Sequence, residues 1–155
     1  MLFKAAFLAV LFATTTAATN RISTDRLNDP MIKEVECLAE NIYREAPEES
    51  YEGQLAVATV TMNRLRNKEF PKTVCGVVYQ PGQFSWTYIK KLSPHNEMLY
   101  EKARQIAEDV LYNGKRLLSI RNALYFHNTT VTPKWIVGMH VVQQIGNHIF
   151  YVTGT

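Results

Sequence analysis

The sequence lacks the features that mark several common classes of protein. It has only 2 cysteines in 155 residues, and they lie too far apart for a zinc-binding motif. Its 17 basic and 14 acidic residues are interspersed without a block of like charge, so we expect no nucleic-acid partner. There is no internal repeat and no low-complexity segment. What is left is an ordinary globular composition, with 46% hydrophobic and 20% charged residues.

Several catalytic signatures are also missing. No catalytic-cysteine signature occurs, and Ser85 has no nucleophile-elbow glycines around it. The four histidines His95, His127, His140 and His148 include no pair at metalloprotease spacing. We therefore expect no metal ion and no other cofactor. One alternative stays open, because scattered histidines can still converge on zinc, as they do in zinc amidases.

The first 18 residues have the layout of a secretory signal peptide. Lys4 is a lone positive charge, and the run Ala5–Ala13 is apolar but too short to span a bilayer stably. We predict cleavage after Ala18, a flexible lead-in over residues 19–28 and one folded domain over residues 29–155. The alternative, a buried first helix, fits less well because the run has no polar face. The prediction is a secreted protein, exported to the periplasm or cell wall, without stable membrane insertion after cleavage.

Export affects the interpretation of the two cysteines. An oxidising compartment favours a disulfide between Cys37 and Cys75. The alternative is a pair of buried free thiols.

Two helical patterns separated by a short break occupy the first half of the domain. Pro30 suits the first position of a helix, and Pro47 disfavours helical geometry at the residue before it, so the first helix is predicted to end near Glu45. Ser50 is a good cap for the second helix, whose apolar residues predict burial over most of its circumference. Pro71 ends that pattern.

The second half of the chain changes its pattern. A further helix is predicted to start at Ser93-Pro94 and to end at Asn113-Gly114. Residues 123–127 form a short aromatic run typical of a strand, and β-formers flank Gly146-Asn147, which predicts a tight hairpin turn. The predicted fold class is α+β, mostly helical, with a small C-terminal antiparallel hairpin.

Glu45 is the sharpest candidate for chemistry. A general acid needs a raised pKa, and a carboxyl set against apolar and aromatic neighbours obtains one through desolvation. Ile42, Tyr43 and Ala46 could supply those neighbours. From position alone, a solvated glutamate at a helix terminus is the favoured interpretation.

Flat aromatic faces and amide groups, which a sugar-binding cleft needs, occur together in the later loops. Aromatic rings can stack on pyranose rings, and amides can bond hydroxyl and N-acetyl groups. Most aromatic residues of a small domain are core residues, so that alternative stays open for each. The residues that we predict to contact substrate are Gln54, Asn63, Gln83, Tyr125, His127 and Trp135.

Five blocks in order resemble the SleB/CwlJ family of cell wall hydrolases. They read CLAENIYREA, EGQLAVATVTMNRL, FPKTVCGVVYQPGQFSW, ALYFHNTTVTPKW and IGNHIFYV. The resemblance implies a lysozyme-like fold that acts on peptidoglycan glycan strands, over a cell wall hydrolase domain of residues 29–155. It also implies that Glu45, in the Tyr-x-Glu-Ala block, is the catalytic acid of a lytic transglycosylase.

The reaction that the resemblance implies needs one carboxylate. The acid protonates the glycosidic oxygen between N-acetylmuramic acid and N-acetylglucosamine, and the muramic C6 hydroxyl closes on its own C1 to give a 1,6-anhydro end. In one place the chain departs from the family, which usually reads Glu-Ala-Arg-Gly-Glu where this chain has Glu45-Ala46-Pro47-Glu48-Glu49. Any arginine contact made from this turn is therefore lost.

The family blocks also predict the walls of the cleft. Residues 83–86 and 125–127 are expected to converge on Glu45 from opposite sides, with Trp86 packed under its loop. We expect a monomer whose partner is the peptidoglycan strand. The alternative functions are an N-acetylmuramoyl-L-alanine amidase with a histidine-bound zinc, and a wall-binding module without catalysis. Both a wall-remodelling role and a phage lysis role fit the sequence.

Overall fold

The computed structural model describes residues 29–90, 92–93 and 96–154. Contacts divide the chain into the units Met1–Ile32 and Lys33–Thr155, and the architecture below concerns the second. The predicted signal peptide and lead-in, residues 1–28, lie outside the described residues. None of the helices in the described ranges is long and apolar enough to cross a membrane.

Helices make up most of the described chain. The α-helices are α1 (Pro30–Glu45), α2 (Tyr51–Arg66), α3 (Val74–Val78) and α4 (Glu97–Tyr112). Short 3-10 helices lie at Ser85–Tyr88, Leu118–Ile120 and Lys134–Ile136. The strands are β1 (Tyr125–Asn128), β2 (Met139–Ile145) and β3 (His148–Thr153). The predicted α+β class, mostly helical, is confirmed.

The central element is α2. Ser50 caps it as predicted, because its side chain accepts the N–H of Gly53 at 3.2 Å. Every residue from Gly53 to Arg64 is buried, since one side of the helix faces other helices and the other side faces the sheet. Full burial of each large apolar side chain contributes about 1.5–3 kcal/mol.

Two apolar clusters flank α2. The first joins α1, α2 and α4, and the second joins α2 to the sheet and to the 3-10 helix at Leu118–Ile120. Members of the first include Leu38, Ile42, Leu55, Ala58, Met62, Ile106 and Val110. Members of the second are Ala56, Val60, Ile120, Ala123, Ile145 and Phe150.

The C-terminal sheet has one more strand than the sequence predicted. The hairpin of β2 and β3 turns at Gly146-Asn147 as expected, with Gly146 at a φ of +56°. The aromatic run at Tyr125–Asn128 adds β1 antiparallel to β3, so the order is β1-β3-β2. One extra residue in β2, between Val141 and Gln143, makes a bulge in the ladder.

The start of α4 differs from the prediction. The helix begins at Glu97, and Asn96 caps it by accepting the N–H of Leu99 at 3.2 Å. The predicted Ser93-Pro94 start is therefore wrong by a few residues. A tertiary contact explains the shift, because the backbone N–H of Asn96 donates to the Tyr43 hydroxyl at 2.8 Å and orients the cap.

A disulfide joins α1 to α3. Cys37 and Cys75 are bonded, with their Cα atoms 5.2 Å apart, as the export argument predicted. Glu34 adds a second link, since its carboxylate accepts the backbone N–H of Val74. Together these contacts hold the helix that ends at Glu45 against the segment leading to Trp86.

Candidate active site

Glu45 lies at the last position of α1, before a turn that side chains hold in place. The helix closes with the N–H of Ala46 donating to Ile42 at 2.9 Å. The buried amide of Gln54 then donates to the carbonyls of Ala46 and Pro47, at 3.0 and 3.4 Å. The turn that follows the candidate acid is therefore braced from α2.

The Glu45 carboxyl lies in a poorly hydrated environment. Burial raises its pKa from 4.5 to about 7, the positive charge of Arg64 opposes that rise, and the indole N–H of Trp86 opposes it further. A carboxyl with such a pKa holds its proton in a substantial fraction of molecules at neutral pH. This is the property that a general acid requires.

Arg64 projects from α2 into the same region, and it is not among the site residues predicted from the sequence. Its side chain is 4% exposed, and its Nε donates to the carbonyl of Leu124 at 2.7 Å. The guanidinium carbon lies 5.3 Å from the Phe84 ring centre and 5.7 Å from that of Tyr125. Burial lowers the Arg64 pKa to about 10, so the group stays cationic at neutral pH.

A signal for Arg64 was present in the sequence. It is the first charged residue after Glu52 in a helix predicted to be buried. A lone charge at the end of such a run either reaches solvent or needs partners, because unpaired buried charges are costly. Sequence alone did not reveal that its partners are aromatic rings on two distant segments.

The two aromatic segments predicted to meet do meet. Phe84 and Phe126 have ring centres 6.3 Å apart, and Phe84 and Tyr125 both lie against Arg64. Trp86 is 6% exposed and stacks on Phe84 at 6.5 Å, so it is packed under its loop as predicted. That the segments approach Glu45 from opposite sides stays a prediction.

Tyr125 and Trp135 form the more open part of the aromatic cluster. Their ring centres are 6.0 Å apart, Tyr125 is half-buried, and Trp135 is 41% exposed. The rings of Tyr151 and His127 pack edge-to-face against Trp135, with ring centres 5.8 and 5.7 Å away. The arrangement leaves an aromatic face available to a ligand.

His127 is held by the protein. Its Nδ1 lies 2.9 Å from the carbonyl of Asn128, and its Nε2 lies 2.8 Å from the Tyr151 hydroxyl. Because a carbonyl can only accept, Nδ1 is the donor in the first contact, and Nε2 lies within hydrogen-bond distance of the tyrosine hydroxyl. Both nitrogens therefore have partners, and a substrate role for His127 stays a prediction.

The remaining predicted substrate residues divide by burial. Asn63 is buried, and its amide donates to the carbonyls of Ile120 and Ala123 at 3.0 and 2.9 Å. Gln54 is likewise buried and holds the turn after Glu45. Gln83 is half-buried beside Phe84. The structure gives the first two a role within the fold, and that any of the three contacts substrate stays a prediction.

Glu49 occupies the position of the second glutamate in the turn. Its Oε1 accepts the backbone N–H of Asn147 at 3.1 Å and lies 3.8 Å from Nδ1 of His148. Burial lowers the pKa of His148, which disfavours the charged ring and therefore an ion pair with Glu49. Glu49 thus connects the turn to the β2–β3 hairpin.

A cavity of about 410 Å³ lies on another face of the same turn. It is bordered by the turn, the start of α2 and one face of α4, and Glu45 is not in its wall. Its lining residues are Pro47, Glu48, Glu49, Tyr51, Gln54, Leu99, Lys102, Gln105, Ile106 and Asp109. Over the described ranges no group of three or more His, Cys, Asp or Glu side chains is placed to hold a metal ion.

A protein-family model matches this chain over residues 48–151, and it describes the cell wall hydrolases. The match begins three residues after Glu45, so it does not include the candidate acid. It does include Arg64, Trp86, Tyr125 and Trp135.

Individual relatives extend the similarity. A spore cortex-lytic enzyme of Oceanobacillus iheyensis is 39% identical over 120 residues, which are 76% of this chain and 41% of that protein. The Bacillus subtilis spore cortex-lytic enzyme is 36% identical over 118 residues, or 76% of this chain and 37% of the relative. The chain thus spans about two fifths of the length of these relatives.

Two solved structures of catalytic domains have the same architecture. The catalytic domain of the germination-specific lytic transglycosylase SleB from Bacillus anthracis superposes with a TM-score of 0.63 at 34% identity, covering 80% of this chain and 98% of that one. The catalytic domain of Bacillus cereus SleB gives a TM-score of 0.59 at 33% identity, covering 76% and 88%.

Proposed function

The chain belongs to the cell wall hydrolase family, and from that membership we propose that it is a peptidoglycan lytic transglycosylase. The bond cleaved is the β-1,4 link between N-acetylmuramic acid and N-acetylglucosamine, and Glu45 is the catalytic acid. The structural observation that carries the proposal is the Glu45 carboxyl itself. Glu45 is the last residue of a helix that a disulfide anchors, and the turn after it is held by Gln54. Burial raises the pKa of its carboxyl to about 7.

The proposed reaction uses Glu45 twice. Protonated Glu45 gives its proton to the glycosidic oxygen, and the bond from the muramic C1 to that oxygen breaks. The muramic C6 hydroxyl then bonds to C1 and passes its proton to the Glu45 carboxylate. The result is a 1,6-anhydro ring and a regenerated acid, without a water nucleophile, so one carboxylate is enough. This differs from the paired carboxylates of glycoside hydrolases that use water.

The aromatic cluster provides the binding surface in this proposal. Tyr125 and Trp135 present adjacent rings at the open side of the site, which suits stacking on a pyranose ring. The Tyr125 hydroxyl can bond the sugar while its ring remains packed against Arg64. Gln83 is one of the predicted substrate contacts, and its amide can bond a hydroxyl or an N-acetyl group of the sugar.

The location of the activity is also part of the proposal. The relatives are named for the spore cortex, and a signal peptide over residues 1–18 would export this chain to a cell wall or periplasm. We propose that the exported protein acts on peptidoglycan as a monomer.

Mass spectrometry of digested sacculi tests the proposal. The wild-type protein is expected to release muropeptides with 1,6-anhydromuramic ends, which are one water lighter than reducing ends. Glu45→Gln keeps the size and hydrogen bonding of the side chain but removes the proton donor, and it is expected to be folded and inactive. Near-normal turnover by Glu45→Gln would contradict the assignment of the acid.

The same digestion separates the alternatives. Reducing muramic ends would indicate hydrolysis, and free stem peptides would indicate an amidase. Addition of a chelator would abolish the activity of a zinc amidase, and it is expected to leave the rate of the proposed reaction unchanged. Binding to sacculi without any product would indicate a wall-binding module.

A further inference from the structure

Two buried donors beside Glu45 form no hydrogen bond of ordinary distance and angle in the part of the chain that the structure describes. One is Nη1 of Arg64, and the other is the indole Nε1 of Trp86. Both residues are less than a tenth exposed, at 4% and 6%. A buried donor without a hydrogen bond is costly because it has given up its bond to water, so two such donors beside one carboxyl call for an explanation.

The packing holds both donors in place. Nε of Arg64 is bonded to the Leu124 carbonyl at 2.7 Å, and its guanidinium lies among the rings of Phe70, Phe84 and Tyr125. Trp86 stacks on Phe84 with an angle of 25° between the rings. Neither side chain can turn away without breaking these contacts.

The two donors act on one group. Arg64 is the charged residue that favours the ionised form of Glu45, and the Trp86 N–H favours it as well. Arg64 also interacts with Tyr125 of β1, whose ring centre lies 5.7 Å from the guanidinium carbon. Donors fixed in advance where charge develops lower the free energy of the charged state without reorganisation.

We infer that Arg64 and Trp86 are positioning residues that receive the Glu45 carboxylate after it has given up its proton. The inference rests on the proposed function, because it explains how one carboxyl serves as acid and then as base. While Glu45 is protonated the donors are unsatisfied, and this stores free energy that favours proton release. Once Glu45 is ionised they hold the carboxylate oriented until the C6 hydroxyl returns a proton.

Nuclear magnetic resonance in the absence of substrate tests the inference directly. The ¹⁵N–¹H signals of the Arg64 guanidinium and the Trp86 indole are followed from pH 5 to pH 9 in wild-type protein and in Glu45→Gln. Both signals are expected to shift with one shared midpoint near pH 7 in the wild type, and to lose that transition in Glu45→Gln. Signals that do not titrate, or that titrate equally in the variant, would overturn the inference.

Activity profiles provide a second test with a matched control. Trp86→Phe removes the N–H and keeps an aromatic ring, and Arg64→Met removes the charge and keeps an apolar stem. Either change removes a group that favours ionised Glu45 and is therefore expected to raise its pKa. The alkaline limb of the kcat/KM profile should move to higher pH, by about one unit for Arg64→Met. Phe84→Leu disturbs the same ring cluster without removing a donor, and its limb is expected to stay in place.

The outcomes of this second test are distinct. A purely structural role would lower activity in all three variants without moving the limb, and that result would overturn the inference. If Arg64→Met does not fold, the inference is still tested by the alkaline limbs of Trp86→Phe and Phe84→Leu and by the NMR titration of the wild-type protein. The titration uses no substrate, so its failure is separable from a failure of the transglycosylase proposal.

Discussion

The Glu49 carboxylate accepts the backbone N–H of Asn147 at 3.1 Å, across 98 positions of sequence. This contact ties the turn that follows Glu45 to the β2–β3 hairpin. Because Gln54 braces the same turn from α2, the turn is held from two directions. The role that the structure gives to Glu49 is therefore to fix the turn, and Glu45 remains the candidate acid.

The first prediction concerns this contact. Glu49→Ala removes the acceptor and is expected to lower the free energy of unfolding by about 1.5–3 kcal/mol, the range for hydrogen bonds to charged groups. Glu49→Gln keeps an oxygen acceptor, and its free energy of unfolding is expected to fall by less than that of Glu49→Ala. Urea unfolding of both variants measures the difference. Turnover by Glu49→Gln should persist, and its complete loss in a folded variant would show that Glu49 takes part in the chemistry.

A second prediction uses two glycines of similar conformation. Gly146 and Gly114 have φ angles of +56° and +70°, and alanine in this region costs about 1–2 kcal/mol. A Cβ at Gly146 would also collide with the Glu49 carboxylate, whereas a Cβ at Gly114 would meet nothing within 4 Å. Gly146→Ala is therefore expected to destabilise the protein more than Gly114→Ala. Equal losses in thermal unfolding would mean that the Glu49 contact with the hairpin adds nothing.

Local sequence signals predicted the helix boundaries that depend on local chemistry. Ser50 caps α2 and Gly114 follows α4 as expected, because a capping side chain or a positive φ acts within a few residues. The start of α4 was misplaced because Asn96 is oriented by Tyr43, a contact between residues far apart in sequence. The pairing of β1 with β3 was missed for a similar reason, since a four-residue strand carries little signal of its partner.

The candidate site was predictable to a similar extent. Glu45 could be named because a family block contains it, and the convergence of the two aromatic segments followed from blocks in the same way. The partners of Arg64 and the bonded state of His127 could not be predicted, because both depend on which carbonyls and rings the fold brings to them. A sequence gives the type of a polar residue, and only packing decides whether its donors face the protein or a ligand.

A third prediction concerns the Cys37–Cys75 bond. In the chain-entropy model, closing a loop with a separation of 38 residues stabilises the folded state by about 4 kcal/mol. Reduction is therefore expected to lower the melting temperature markedly. It is also expected to lower activity, because the bond anchors the helix that carries Glu45 to α3. Melting with and without reductant measures the first effect, and thiol counting on unreduced, denatured protein should find no free thiol.

Cys37→Ser/Cys75→Ser separates loss of the bond from side effects of the reductant. The double variant should melt like the reduced wild type and should not respond to reductant. An unchanged melting temperature in both cases would show that the cross-link does not contribute to the stability of the domain.

The last prediction links the Glu45 pKa to folding. Burial raises that pKa from 4.5 to about 7, so the folded state holds the proton more tightly than the unfolded chain does. For a group whose pKa is raised on folding, the associated stability is fully present below the unfolded value and is lost as pH rises through the folded value. The window is therefore about pH 4.5 to 7, and the total loss of unfolding free energy across it is about 3 kcal/mol.

Glu45→Gln stays uncharged throughout and avoids this loss. Its stability relative to the wild type is expected to grow by about 2–3 kcal/mol between pH 5 and pH 8, as measured by urea unfolding at each pH. Glu48→Gln removes a charge from the exposed part of the same turn and controls for the change in net charge. A gap between Glu45→Gln and wild type that stays constant with pH would mean that the carboxyl is not desolvated in the folded protein, and the acid assignment would lose its physical basis.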